Sequence, residues 1–240
     1  GSQVYLEEGE IQNVGSLLNA ICLRSANDAS VALAEHIVGS EEIFANKMND
    51  RAAQIGMKDT HFKNVTGLPS EDHYSTAYDI ALMTRELLKH PKIHEWLIPW
   101  MAEIKVGKNK DVIQGLVNTN RLVKEYEGAN GVKTGYTDEA GYCLSASAKR
   151  GNLQLISVIM GCENSKTRFE EAKRMLDYGF ASYESITIGK KGDPIGKVVV
   201  EKGKKNEVNV IFEKDAFVLL PKGSQSNLER EYILPEFIAA

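Results

Sequence analysis

The hydrophobic period changes twice along this chain, and that order of periods restricts the fold more than any other feature. From Val14 to Lys89 apolar residues recur at helical spacing. Leu17, Leu18, Ile21 and Cys22 share one face of a helix expected over Val14–Leu23. Asp28 is expected to cap a second helix running through Ile37, and Ser40 a third that Gly56 follows. Thr76 to Lys89 repeats the pattern before Pro91 stops it. Alternation then takes over. Met101–Val106, Val112–Val117, Gly131–Thr137, Tyr142–Ala148 and Leu153–Met160 read as strands, with Gly151-Asn152 as a hairpin turn. Helical spacing returns over Thr167–Tyr183. Helices, then strands, then a closing helix specify an α+β domain with an antiparallel sheet, not a doubly wound parallel one.

Beyond Tyr183 short Val-rich runs are separated by Gly and Lys turn signals, and the last, Phe237-Ile238-Ala239-Ala240, carries no stop signal. The expected division is therefore residues 1–184 as one domain and 185–240 as a small β-rich domain. Hydrophobic residues make up 42% of the 240 and the net charge is −4. A core can form, and no basic face marks a nucleic-acid partner. Three cysteines without a Cys-x-x-Cys pair argue against zinc and against a disulfide framework. Cys22 and Cys143, in apolar runs, read as small buried hydrophobes. His90 and His94 are four apart, but Pro91 breaks the helix a metal pair would need. Neither metal nor cofactor is expected. No apolar run reaches the roughly 20 residues of a membrane span.

Two short motifs carry chemistry. Ser25-Ala26-Asn27 lies on a break between apolar helices, where a polar turn can aim Ser25 and Asn27 into a cleft. Lys133-Thr134-Gly135 lies on a presumed strand, whose edge can offer Lys133 and Thr134 to a carboxylate while Gly135 admits a substrate backbone. Each alone is equally well a set of cap or turn residues. As a pair, each in the setting an acyl-transfer site needs, they match the second and third motifs of the penicillin-recognising serine enzymes, whose first is Ser-x-x-Lys.

The wider sequence resembles the low-molecular-mass D-alanyl-D-alanine carboxypeptidases. The likeness runs through Leu23-Arg24-Ser25-Ala26-Asn27-Asp28-Ala29, Gly56-Met57-Lys58-Asp59-Thr60-His61-Phe62, and Gly131-Val132-Lys133-Thr134-Gly135-Tyr136-Thr137 to Ala140-Gly141-Tyr142. It implies a β-lactamase/transpeptidase-like domain followed by a small β domain. It also implies an exported bacterial protein of the cell-wall space, acting on stem peptides that end in D-Ala-D-Ala and acylated by β-lactam antibiotics. Membrane attachment, on this likeness, comes only from a C-terminal anchor beyond Ala240. It implies roles as well: Ser25 as proton relay, Asn27 on the substrate backbone, Lys133 on the Ser25 hydroxyl and the substrate end, Thr134 on the terminal carboxylate. The Tyr136 N–H becomes an oxyanion donor, and Arg168 a two-bond grip on the carboxylate.

None of the serines in this chain has a lysine three residues on. The expectation is a piece that begins after the nucleophile segment and is inactive alone. Two alternatives stand beside it. One is a serine β-lactamase, with Glu71 or Asp72 supplying the deacylating carboxylate. The other is a non-catalytic relative that binds peptidoglycan or a partner.

Overall fold

The computed structural model describes residues 1–239, which form two compact units. The first comprises Gly1–Lys149 and Gln154–Leu176, and the second Arg150–Leu153 with the chain from Asp177 onward.

In the first unit, α1 (Val14–Asn19) passes directly into a π-helical turn over Ala20–Arg24. The single helix expected to Leu23 is thus wound looser at its end. Ser25 N–H bonds Ile21 C=O at 3.1 Å and Ala26 N–H bonds Ala20 C=O at 3.1 Å. Ala20 and Leu23 within the turn and Ala26 just after it are completely buried. Helix α2 spans Asn27–Val38 and closes on Gly39, whose φ of 89° needs no Cβ to accommodate. The cap of α2 is Ala26, not Asp28 as expected. Asp28 sits one step inside and turns its carboxylate on the N-terminal stretch, accepting from the N–H groups of Val4 at 3.1 Å and Leu6 at 3.0 Å. An outside pair of donors outcompeted the local cap.

Helix α3 (Glu41–Gln54) is capped by Ser40, whose Oγ accepts from Ile43 N–H at 3.2 Å. Helix α4 (Ala77–Leu87) is capped in the same way by Thr76. A short α5 (His94–Leu97) leads to β1 (Met101–Val106), which pairs antiparallel with β2 (Val112–Val117). Ile104, Val106 and Leu116 on one face of that hairpin form a core with Val4, Leu17, Ala20, Leu23, Ala26 and Ala29. After α6 (Leu122–Glu125) come β3 (Ala129–Thr137), β4 (Gly141–Arg150) and β5 (Leu153–Cys162), in the sheet order β3-β4-β5. The β3–β4 pairing is antiparallel. Helix α7 covers Ser165–Ser182. This is the mixed helix and sheet architecture that the change of period dictates.

The second unit contains β6 (Tyr183–Gly189), β7 (Pro194–Glu201), β8 (Glu207–Ile211), β9 (Ala216–Pro221) and β10 (Phe237–Ala239). They make two small sheets, β6-β9 and β10-β7-β8. A Cβ at Gly189 would lie 2.2 Å from the Phe212 ring, so the ring packs directly on this glycine.

Candidate active site

The π-turn places Ser25 at φ 60°, ψ 40°, a left-handed conformation unusual for a residue with a Cβ. The turn ends the first helical segment one residue late and swings the Ser25 side chain toward β3. There Lys133 Nζ donates to Ser25 Oγ, across 108 residues of sequence, and also to Thr134 C=O at 3.0 Å. Asn27 opens α2 and its N–H donates to Ser2 C=O at 2.9 Å. Thr134 is held through its hydroxyl by Thr119 at 2.7 Å. Ser25, Asn27, Lys133, Thr134, Gly135 and Tyr136 all line one cleft of about 450 Å³. A larger groove of about 730 Å³ lies beside α2. It holds none of these residues, so volume alone does not locate the site.

Burial governs the electrostatics of this cleft. It pushes the Lys133 ammonium down to about 8, assisted by the Arg168 charge and opposed by the Cys22 thiol. The same burial pushes Cys22 up to about 11, so Cys22 is a thiol, not a thiolate, at neutral pH. It is half-buried, as is Cys143; neither is the fully buried hydrophobe expected. Lys133 at pH 7 remains mostly cationic and donates to Ser25. The cleft therefore offers a hydroxyl coupled to a switchable ammonium, a threonine hydroxyl, an amide side chain and the free edge of a strand.

Arg168 is placed differently from the expectation. It is 7% exposed and is absent from the cleft wall. Its Nη1 donates to Gly135 C=O at 2.9 Å and Cys143 C=O at 3.1 Å, and its Nη2 to Ser165 Oγ at 3.3 Å. The guanidinium lies over the rings of Tyr142 and Phe169. Glu71 and Asp72 are both exposed and do not line the cleft. His94 turns its Nδ1 to Asn130 C=O at 3.0 Å.

One wall was not read from sequence. Phe62, the turn Asn64–Leu68 and His73 face the motif residues across the cleft. His73 Nδ1 accepts from Lys63 N–H at 3.4 Å, so its neutral ring carries the proton on Nε2. Burial, then the nearby His61, hold it below its ordinary value and keep it neutral. The base of this loop is clamped by Asp79, 1% exposed, whose Oδ2 accepts from Asp59 N–H at 2.8 Å and Thr60 Oγ1 at 2.7 Å. Asp79→Ala strands the Asp59 N–H, while Thr60 Oγ1 keeps Ser75 Oγ at 2.8 Å. It should cost about 1–3 kcal/mol by urea unfolding and speed hydrogen exchange at the Asp59 amide. An unchanged midpoint with unchanged exchange would show that the loop is held by other contacts.

Solved structures share this architecture. Penicillin-binding protein 5 from Haemophilus influenzae superposes with a TM-score of 0.80 at 33% identity, covering 100% of this chain and 69% of that one. The D-alanyl-D-alanine carboxypeptidase DacD from Francisella tularensis gives 0.76 at 29%, covering 92% and 66%. Fold and cleft thus define a chain of the penicillin-binding class. A family profile described as D-alanyl-D-alanine carboxypeptidase matches residues 1–164, and one described as the C-terminal domain of penicillin-binding protein 5 matches residues 183–240. The chain belongs to the D-alanyl-D-alanine carboxypeptidase family. It is 45% identical to the carboxypeptidase DacF of Bacillus subtilis over 100% of its own length and 61% of that protein. It is 34% identical to DacA of Escherichia coli over 97% and 57%. The chain spans about three fifths of the length of these curated relatives.

Proposed function

We propose that this chain supplies the substrate cleft of a serine-type D-alanyl-D-alanine carboxypeptidase that trims the terminal D-alanine from peptidoglycan stem peptides and is acylated by penicillin. The observation that supports this most is the contact between Lys133 and Ser25 within a cleft shared by Asn27 and Thr134. Family membership supports it independently.

In this reading the serine of a Ser-x-x-Lys segment, which these 240 residues do not contain, attacks the carbonyl between the two D-alanines. Its proton passes to the lysine of that segment, and an oxyanion forms. Ser25 relays a proton from that lysine to the leaving amine as the C–N bond breaks. Water then cleaves the acyl ester. Asn27 orients the peptide backbone, Thr134 and the Lys133 charge hold the terminal carboxylate, and the Tyr136 N–H stabilises the oxyanion. Action in the cell-wall space, with any membrane attachment lying outside the 240 residues, follows the same reading. So does the assignment of residues from about 185 to a β domain without catalytic residues.

Among the described residues no carboxylate lines the cleft. That favours a carboxypeptidase over a β-lactamase, which needs a base for fast deacylation. The retained Ser25, Asn27, Lys133 and Thr134 favour an enzyme over a binding-only relative. The test joins this chain to its Ser-x-x-Lys segment and measures D-alanine release from a pentapeptide beside penicillin turnover. Release with a long-lived penicilloyl adduct is expected. Rapid penicillin hydrolysis without D-alanine release would replace the reading with a β-lactamase, and neither activity with a binding protein.

A further inference from the structure

The turn between β2 and α6 is fixed from both sides. Buried Asn118 donates its N–H to Trp100 C=O at 2.9 Å, and its side-chain amide to the carbonyls of Leu97 and Pro99 at 3.0 Å each. Its Oδ1 accepts from Asn120 N–H at 2.9 Å. Asn120, also buried, accepts in turn from Leu122 N–H at 3.2 Å. Burying an amide side chain is costly unless it is bonded, and this turn uses two of them to hold the one residue between. That residue, Thr119, stands exposed and reaches both motif-bearing elements. Its N–H donates to Leu23 C=O at 3.1 Å, in the π-turn two residues before Ser25. Helix ends leave such carbonyls without a partner of their own. Its hydroxyl meets the Thr134 hydroxyl on β3 at 2.7 Å.

We propose that Thr119 is a positioning residue that fixes the Thr134 hydroxyl as a donor to the terminal carboxylate of the substrate. Between two hydroxyls either oxygen can donate, but a carboxylate can only accept. Once the carboxylate takes the Thr134 hydrogen, the bond between the threonines has to be donated by Thr119. The chain then runs from Thr119 O–H to Thr134 Oγ1, and from Thr134 O–H to the carboxylate. A hydroxyl that accepts one hydrogen bond donates a stronger one. Lys133 does not fill this place, because its Nζ bonds Ser25 Oγ and the main-chain carbonyl of Thr134, not the Thr134 hydroxyl. Thr119 itself is absent from the cleft wall, whereas Thr134 lines it, so Thr119 acts through Thr134. Its bond to Leu23 ties the same turn to the segment that carries Ser25, so one rigid turn sets both the carboxylate donor and the relay. This rests on the reading of Thr134 as the carboxylate's partner and adds to it a residue outside both motifs.

In the full-length protein, Thr119→Val keeps the side-chain shape and the main-chain bond to Leu23 and removes the hydroxyl, while Thr119→Ser keeps the hydroxyl. For D-alanine release from a stem pentapeptide, kcat/KM should fall about 3- to 10-fold in Thr119→Val, the share of one neutral hydrogen bond. Thr119→Ser should restore most of it. A double-mutant cycle separates this role from a merely structural one. In a Thr134→Val background the hydroxyl that Thr119 serves is gone, so Thr119→Val should change the rate less than about twofold. An equal loss in both backgrounds would show that Thr119 only holds the turn, and would overturn the inference. So would an unchanged rate in Thr119→Val, or a loss that serine does not restore. Should Thr119→Val not fold, Thr119→Ala carries the same cycle. If the unsubstituted full-length protein neither releases D-alanine nor takes up penicillin, the proposed function fails. The inference is then read from binding alone, as affinity for acetyl-D-alanyl-D-alanine relative to its C-terminal amide. A preference for the carboxylate that Thr119→Val reduces supports it, and a preference that is absent or unchanged overturns it.

Discussion

Incubated with labelled penicillin, the 240-residue chain is expected to keep its unmodified mass. Ser25 has the strongest claim among its serines to act as a nucleophile, since it touches Lys133 inside the cleft. The direction of that contact argues against it. Lys133, pushed down only to about 8, is mostly ammonium at pH 7, so it donates to the Ser25 oxygen and cannot take the Ser25 proton. Among the described residues no carboxylate lines the cleft to replace it. No serine here has a lysine three residues on to serve as its base. A stable acyl bond needs a serine beside a proton acceptor, and that pair is absent from these residues. The check is intact-mass spectrometry beside the same chain carrying its Ser-x-x-Lys segment, which should label stoichiometrically. A slow leak through Ser25 would have a signature, increasing as pH rises through about 8 and Lys133 loses its proton. A stoichiometric adduct at pH 7, mapped to Ser25, would overturn the assignment of Ser25 as relay.

The two motifs were legible because each is local, and because the switch of hydrophobic period puts one on a helix break and the other on a strand. Their meeting was legible only through the resemblance. Nothing in the spacing of Ser25 and Lys133 brings them together. The folded chain does so through a π-turn, with Ala20 and Leu23 buried within it and Ala26 just after it. An apolar pattern of that density reads equally well as an ordinary helix, so the extra residue in the turn has no sequence signal. Asp28 shows the same limit. Its place before an apolar run reads as a cap, and only the tertiary position of Val4 and Leu6 reveals the better use of its carboxylate. The loop wall is clamped by Asp79, a buried carboxylate in the first turn of α4 that the apolar pattern of that helix does not single out. Arg168 reads from sequence as a grip for a carboxylate, and in the folded chain its guanidinium donates to Gly135 and Cys143 C=O. Its partners are two backbone carbonyls brought together by strand register, which side-chain chemistry does not encode.

Lys133→Met should separate stability from function, and the two should move in opposite directions. Burial lowers the Lys133 ammonium from 10.5 to about 8. The unfolded chain therefore binds more protons than the folded one between pH 8 and 10.5, and stability rises with pH across that window. Below pH 8 the folded state carries the whole cost of the buried charge, and above 10.5 it carries none. Methionine keeps the volume of the stem and removes the charge. At pH 7 the variant should be more stable by on the order of 1–3 kcal/mol, less the lost hydrogen bond to Ser25, and its stability should be flat from pH 8 to 10 where the parent climbs. Activity should go the other way. With the Ser25 partner and the carboxylate-directed charge both gone, acylation in the full-length protein should fall by roughly 10²–10³-fold. The parent itself should lose acylation rate above about pH 8, as the ammonium deprotonates. Urea unfolding at pH 7 and pH 9 measures the first effect, and the pH profile of penicillin acylation the second. A variant less stable than its parent at pH 7 would mean that the Lys133 bonds to Ser25 and Thr134 outweigh desolvation, and that the site is held together by the charge it uses.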